Sequence, residues 1–267
     1  MSILNIYDIT WPHLALGYLS LVIPFGIFYL FRAGLTRDGL IAIARMTLQL
    51  FLVGLYLEIV FAWDNSWVNM AWVVIMIVVA TLATTRGSNV KARYFFLPGI
   101  MALAASVIFI DAFFIGLVIR PDNVFQARYF IPITGMIIGN CMERNIIAMN
   151  SFYKQLQREE KSYRYLLANG GSRQEALRPF FRTCLRNAFN PLIANTAVIG
   201  LIALPGTMTG QILGGSSPGT AIRYQILLIL AIMVASSISV ILTLLISNRT
   251  MFDSMDNLRQ NRLKSRE

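Results

Sequence analysis

The sequence predicts an all-α polytopic membrane protein of about seven transmembrane helices, N-terminus outside and C-terminus cytoplasmic. A helical cytoplasmic insertion lies between the fifth and sixth helices. Three observations predict this. Of 267 residues, 56% are hydrophobic and 13% charged, whereas a soluble domain carries about a quarter charged residues. The ionisable residues are bunched, leaving long uncharged windows between them. The cations also fall on alternate loops. A mean hydropathy of +0.61 excludes a soluble enzyme, a secreted disulfide scaffold and a disordered tail.

Crossing a hydrocarbon layer of ~30 Å takes about 20 mostly apolar residues. The window from Asp8 to Arg32 holds a first span at about 14–31, and a second follows at 39–61. Nothing ionises between Asp64 and Arg86, which holds the third at 67–85. A fourth at 95–119 starts in the window from Arg93 to Asp111, and a fifth covers 130–150. The windows Arg186–Arg223 and Arg223–Arg249 hold the sixth, 192–210, and the seventh, 222–247. A membrane barrel would show ~10-residue stretches alternating apolar and polar, and these segments do not alternate.

The loops orient the chain. Connections 31–38, 86–94, 151–191 and 248–267 carry eighteen Lys and Arg, against Arg120, Arg128 and Arg223 on the opposite side. That asymmetry marks the first set as cytoplasmic, so the net charge of +10 reflects topology and not nucleic-acid binding. The first 31 residues hold no Lys or Arg, so the basic region of a cleavable signal peptide is not expected. Cys141, Cys184 and the lone His13 match no metal-ligand spacing, and a structural disulfide is not expected. The whole chain, 1–267, reads as one transmembrane domain.

Segment 151–191 is the one long polar stretch, and it has helix punctuation. Gly170-Gly171 stops one helix, because glycine takes the left-handed conformation cheaply. Ser172 and Glu175 then have capping-box spacing, and Pro179 is expected to interrupt the new helix or restart it. Beyond it Phe181, Cys184, Leu185 and Ala188 share an apolar face, with Arg178, Arg182 and Arg186 beside it. Two readings stand: an interfacial helix on anionic lipid, or a docking element that presents Leu166, Leu167 and the Gly-Gly turn to a cytoplasmic partner.

Within the spans, Gly135 and Gly139 form a G-x-x-x-G pair that lets helix backbones approach. Pro132 precedes it, Met136 lies inside it, and Asn140 follows as a polar group needing a partner in lipid. Residues 204–215, L-P-G-T-M-T-G-Q-I-L-G-G, argue for a broken helix with irregular backbone, or else for an outer loop. Ionisable groups inside spans cost roughly 2.5–3.5 kcal/mol each at the bilayer centre. Glu58, Asp111 and Glu143 are therefore either interface anchors or candidate cation carboxylates, with Arg45 and Arg144 as the cationic groups in the spans. The sequence holds no G-x-x-x-x-G-K-[ST], G-x-S-x-G or H-E-x-x-H motif, so catalysis and nucleotide binding by those motifs are not expected.

The blocks I-P-I-T-G-M-I-I-G-N (131–140), V-I-G-L-I-A-L-P-G-T-M-T-G-Q-I-L-G-G (198–215) and P-G-T-A-I-R-Y-Q-I (218–226) resemble the FetB-type permeases. These are membrane subunits of an ABC transporter family associated with iron export. The resemblance covers about residues 35–250. It implies a homodimeric permease in the cell membrane, joined to two copies of a separate ATPase subunit that carries the ATP and magnesium. No cofactor is expected on this chain. By the same resemblance Pro132, Gly135, Met136, Gly139, Asn140, Leu204, Pro205, Gly206, Met208, Gly210 and Gln225 would line or gate the path. Leu166, Leu167, Gly170, Gly171, Ser172, Glu175 and Ala176 would form the coupling helix region against the ATPase. Glu143 and Arg144 depart from the small or apolar residues expected after the G-N block; in the insertion Tyr165 stands where the family commonly has an acidic residue, and Pro179 is unexpected. Two other functions fit the residues alone: an ATP-independent cation carrier or channel using Glu58, Asp111 and Glu143, and a non-transporting scaffold that recruits a partner.

Overall fold

A computed structural model describes residues 10–121, 123–202 and 204–264, and these are predominantly helical. Arg266, counted above among the loop cations, and Ala203 within the 198–215 block lie outside the described residues. The helices are α1 (Trp11–Leu19), α2 (Val22–Leu30), α3 (Thr36–Trp63), α4 (Ser66–Gly87), α5 (Ala92–Asp111), α6 (Ala127–Arg158), α7 (Glu160–Ala168), α8 (Arg173–Val198), α9 (Gly206–Leu213) and α10 (Pro218–Met251). A π-helical segment, Ala112–Ile119, continues α5. No strand forms among the described residues beyond the isolated bridges Val90–Leu263 and Phe252–Leu258.

Five helical segments are long and apolar enough to cross a membrane: Trp11–Leu30, Thr36–Trp63, Ser66–Gly87, Ala92–Ile119 and Pro218–Met251. They match the first four and the last of the expected spans. The first is two helices because Pro24 has no N–H to give the carbonyl of Ser20. The turn tightens there, with the Ile23 amide donating to Ser20 at 3.2 Å. The expected fifth span lies within α6, a 32-residue helix whose Asn140, Glu143, Arg144 and Asn145 dilute its apolar character. The expected sixth, 192–210, is not one helix: α8 ends at Val198, the backbone turns through Gly200 at φ +88°, and α9 starts at Gly206.

The packed body is α4, α5, α6 and α10, with α7 and α8 against one end. Ile77, Leu103, Ile137 and Ala235 pack in one half, and Phe95, Phe152, Tyr153, Phe180 and Leu244 in the other. By contrast α1 and α2 bury no residue and α3 buries only Val60. Their exposed apolar side chains suit lipid, where apolar contact with other helices is not required. Tyr56 of α3 stacks on Trp72 of α4 at 4.1 Å.

The half with α7 also holds the C-terminal segment and most of the loop cations, and is here called the basic end. Lys264 donates from Nζ to the carbonyls of Thr85, Arg86 and Ser88 at 2.8, 3.0 and 2.6 Å. A cation there offsets the partial negative charge at the end of α4. Arg262 lies over the Tyr94 ring at 4.5 Å. Tyr163 donates to the Asp256 carbonyl at 2.9 Å, and Gln260 donates to Glu160 at 2.7 Å. Residues 252–264 thus strap α7 to the rest of the bundle.

Candidate functional site

The turn between α7 and α8 is built by local chemistry. Gly170 takes φ +84°, its amide donates to Leu167 at 3.0 Å, and that of Gly171 donates to Leu166 at 3.0 Å. This is a Schellman closure, which satisfies carbonyls left over at a helix end. Ser172 then caps α8. Its Oγ accepts the Glu175 amide at 3.3 Å, while Glu175 Oε2 accepts the Ser172 amide at 2.8 Å and hydroxyl at 2.7 Å. Those bonds from Ser172 hold the Glu175 carboxyl below its usual range. The expected capping box and glycine stop are both present.

The turn is exposed but its supports are not. Leu166 is 39% exposed, whereas Leu167 is partly buried against the core. Ala176, expected to face a partner, is 0% exposed and braces the turn from behind, offering no surface. Arg173 fixes the far side: it pairs with Asp256 at 3.1 Å, donates to the Asn248 carbonyl at 2.9 Å and lies over Phe252. The second helix of the insertion is not short. α8 runs for 26 residues straight through Pro179 and Pro191, so Pro179 neither ends nor restarts it. Arg178, Arg182 and Arg186 are exposed, and Cys184 and Ala188 buried.

Where α6 meets α5 and α10 a seam of polar side chains runs through otherwise apolar helices. Thr134 donates to Asp111 Oδ2 at 2.8 Å. Cys141 lies 3.8 Å from the Ser236 hydroxyl, and Asn145 donates to Ser239 at 2.9 Å. Tyr153 meets Ser247 at 3.1 Å and donates to Asn248 at 3.0 Å. Such bonds hold helices together where no hydrophobic effect acts between them. Asp111 Oδ1, Asn145 Oδ1 and Thr243 Oγ1 are buried without a hydrogen-bond partner among the described residues. The α10 members recur every three or four residues, a helical stripe of Ser and Thr that is visible in the sequence once its period is looked for.

Asp111 is the buried acid of this seam, 7% exposed at the junction of α5 with its π-helical continuation. Removing its one donor strands both oxygens. We expect Thr134→Val to cost about 2 kcal/mol, the penalty of an unsatisfied buried polar group. Asp111→Leu/Thr134→Val should recover most of that, since removing both partners leaves nothing unpaired. Thermal unfolding in detergent reads both, and an unchanged midpoint for Thr134→Val refutes the assignment.

The glycine-rich blocks lie apart from that seam. A Cβ on Gly135 would meet the tip of the flexible Met76 side chain, Cε, at 2.9 Å, while Gly139 faces open space. Pro132 is exposed near the start of α6, which continues through it, and Met136 is half-buried. Asn140 is satisfied within its own helix, donating to the Met136 carbonyl at 2.9 Å. In the second block Pro205 caps α9, and Met208, 8% exposed, is its buried residue. Thr207 donates to Gln225 of α10 at 2.5 Å. Leu204 is exposed, and a Cβ on Gly206 or Gly210 would meet nothing within 4 Å.

The three candidate carboxylates are not brought together. Glu58 is exposed on α3, Asp111 is held by Thr134, and Glu143 pairs with Arg144 at 2.8 Å. Among the described residues no group of three His, Cys, Asp or Glu is placed to hold a metal ion. Cys141 and Cys184 are free and buried.

The comparisons agree with this architecture. Residues 11–252 match the model of a family described as Uncharacterised protein family (UPF0014). UPF0014 membrane protein STAR2 of Oryza sativa subsp. japonica is 33% identical, over 79% of this chain and 73% of that protein. UPF0014 membrane protein YjkA of Bacillus subtilis is 28% identical, over 86% and 91%. Probable iron export permease protein FetB of Escherichia coli is 26% identical, over 98% and 100%. No solved structure matches. With its apolar helices and a match spanning nearly its whole length, the chain is a multi-pass membrane protein that belongs to the UPF0014 family.

Proposed function

We propose that this chain is the permease subunit of an ABC transporter in the cell membrane, exporting a metal ion, with iron first among the substrates to try. Energy comes from ATP and magnesium on a separate ATPase subunit. The observation that carries this reading is the α7–α8 turn: exposed at its tip, closed by its own hydrogen bonds, and strapped through Arg173 and Asp256 to α10 and the C-terminal segment. A push on such a turn passes into the bundle without being absorbed by loose backbone. The name of the Escherichia coli relative supports transport and suggests iron.

In this reading the chain crosses the bilayer seven times, N-terminus outside. The crossings are α1 with α2, α3, α4, α5 with its continuation, α6, the broken α8–α9 segment, and α10. The basic end is cytoplasmic. Two copies form the permease. Leu201 and Ile202, 88% and 83% exposed beside the break, supply apolar surface for the second copy, and Gly139, Gly206 and Gly210 leave room along the path between them. ATP-driven movement of the turn tilts α8 against α6 and shifts the break at 199–205.

Co-purification in mild detergent tests this. The chain, expressed with its neighbouring genes, should retain a stoichiometric ATPase. Leu166→Asp should release it while the permease stays folded, because Leu166 is exposed and the partly buried Leu167 is left intact. A chain that purifies alone and still supports flux independent of any ATPase refutes the reading.

A further inference from the structure

Between α8 and α10 a groove of about 530 Å³ opens at the basic end. Leu177 and Phe181 form one wall, Ile241 and Leu245 the other. On each helix the lining residues climb by one turn, from Arg173 on α8 and from Arg249 on α10. The eight residue steps from Arg249 to Ile241 span about 12 Å of helix. Arg178 also borders the groove. Arg173 is committed to Asp256 and Asn248, but Arg178 and Arg249 are exposed and form no ion pair among the described residues.

An apolar trench with uncommitted cations at its mouth selects the chemistry of its occupant. A free anion leaves the trench unfilled, and an uncharged chain leaves the arginines unpaired. A molecule that joins a phosphate to an alkyl chain satisfies both. The α10 wall, Ile241 and Leu245, falls within the expected span 222–247 of a segment long and apolar enough to cross a membrane, which favours a lipid over a water-soluble subunit as its occupant. We propose that this groove binds one anionic phospholipid, its phosphate between Arg178 and Arg249 and an acyl chain along Phe181, Ile241 and Leu245. The inference rests on the proposed orientation only for naming the leaflet, which is then the cytoplasmic one. The lipid would fill the space between α10 and the part of α8 that follows the α7–α8 turn.

The test uses the full-length chain, delipidated in detergent without any ATPase, so its outcome is independent of the transporter assignment. Native mass spectrometry and thermal unfolding are followed with phosphatidylglycerol, phosphatidylcholine or inorganic phosphate added. Phosphatidylglycerol should stay bound at one per chain and raise the midpoint more than phosphatidylcholine. Arg178→Gln/Arg249→Gln should weaken its retention about tenfold or more, as the loss of two cations at an anionic surface implies, and leave the lipid-free midpoint unchanged. Leu245→Trp, which fills the trench from an exposed position, should weaken it with both arginines present. Equal retention of the two lipids, retention indifferent to the arginine pair, or equal stabilisation by phosphate alone overturns the proposal.

Discussion

Replacing Gly171 with alanine is expected to abolish ATPase-dependent transport while leaving the chain inserted in the membrane. A Cβ at this position would lie 2.8 Å from the carbonyl oxygen of Leu166, closer than a methyl group and a carbonyl tolerate. The same oxygen accepts the Gly171 amide at 3.0 Å. Relief of the clash therefore lengthens the bond that closes the turn, and the end of α7 changes its angle to α8. Gly170→Ala acts differently: its neighbourhood is open, but φ of +84° costs a residue with a Cβ about 1–2 kcal/mol. It should weaken coupling less. Gly26→Ala, in open space at ordinary φ, is the neutral control. Flux in inverted vesicles, ATPase retention and the amount of permease in the membrane fraction measure the three. Wild-type flux from Gly171→Ala excludes this turn as the coupling element.

That turn was legible because every part of it lies within ten residues of sequence, Leu166 to Glu175. Gly170 supplies the left-handed position, and Ser172 and Glu175 the reciprocal cap, from chemistry that depends on no distant partner. The apolar windows were legible for the same reason: an uncharged run of sufficient length needs only lipid. What escaped depends on partners far along the chain. Pro179 reads as an interruption or a restart, yet α8 continues through it and through Pro191, packed against α6. Ser236, Ser239 and Ser247 look like ordinary span residues until α6 sets Cys141, Asn145 and Tyr153 opposite them. The family resemblance places Ala176 in the docking region, but helix α8 turns it inward. Lys264 sits 176 residues from the carbonyl of Ser88 that it caps, and no local pattern announces such a contact.

Loss of Arg144 should be the most costly of the polar substitutions proposed here, and it explains why α6 carries a charge at this depth. Its side chain is 5% exposed, donating from Nη1 to the Ala188 carbonyl at 2.9 Å and pairing through Nη2 with Glu143 at 2.8 Å. Ala188 lies on α8 one turn before Leu192, on the face that α8 turns toward α6. The guanidinium thus ties α6 to α8 between the α7–α8 turn and the break after Val198. Glu143 is 57% exposed, so it is not enclosed by neighbouring side chains and can reorient when the arginine is removed, and the cost is not that of a stranded buried charge. It is the lost charge-assisted hydrogen bond, about 1.5–3 kcal/mol, with the lost packing of the arginine stem in addition. Arg144→Ala should therefore unfold in detergent well below wild type, and Arg144→Lys, a single donor group without the planar fork, should fall between them. Glu143→Gln should cost under about 1 kcal/mol, the range of exposed pairs, and leave flux near wild type, because the carboxylate serves as a counterion. A cation carrier using Glu143 requires instead that flux be lost in Glu143→Gln.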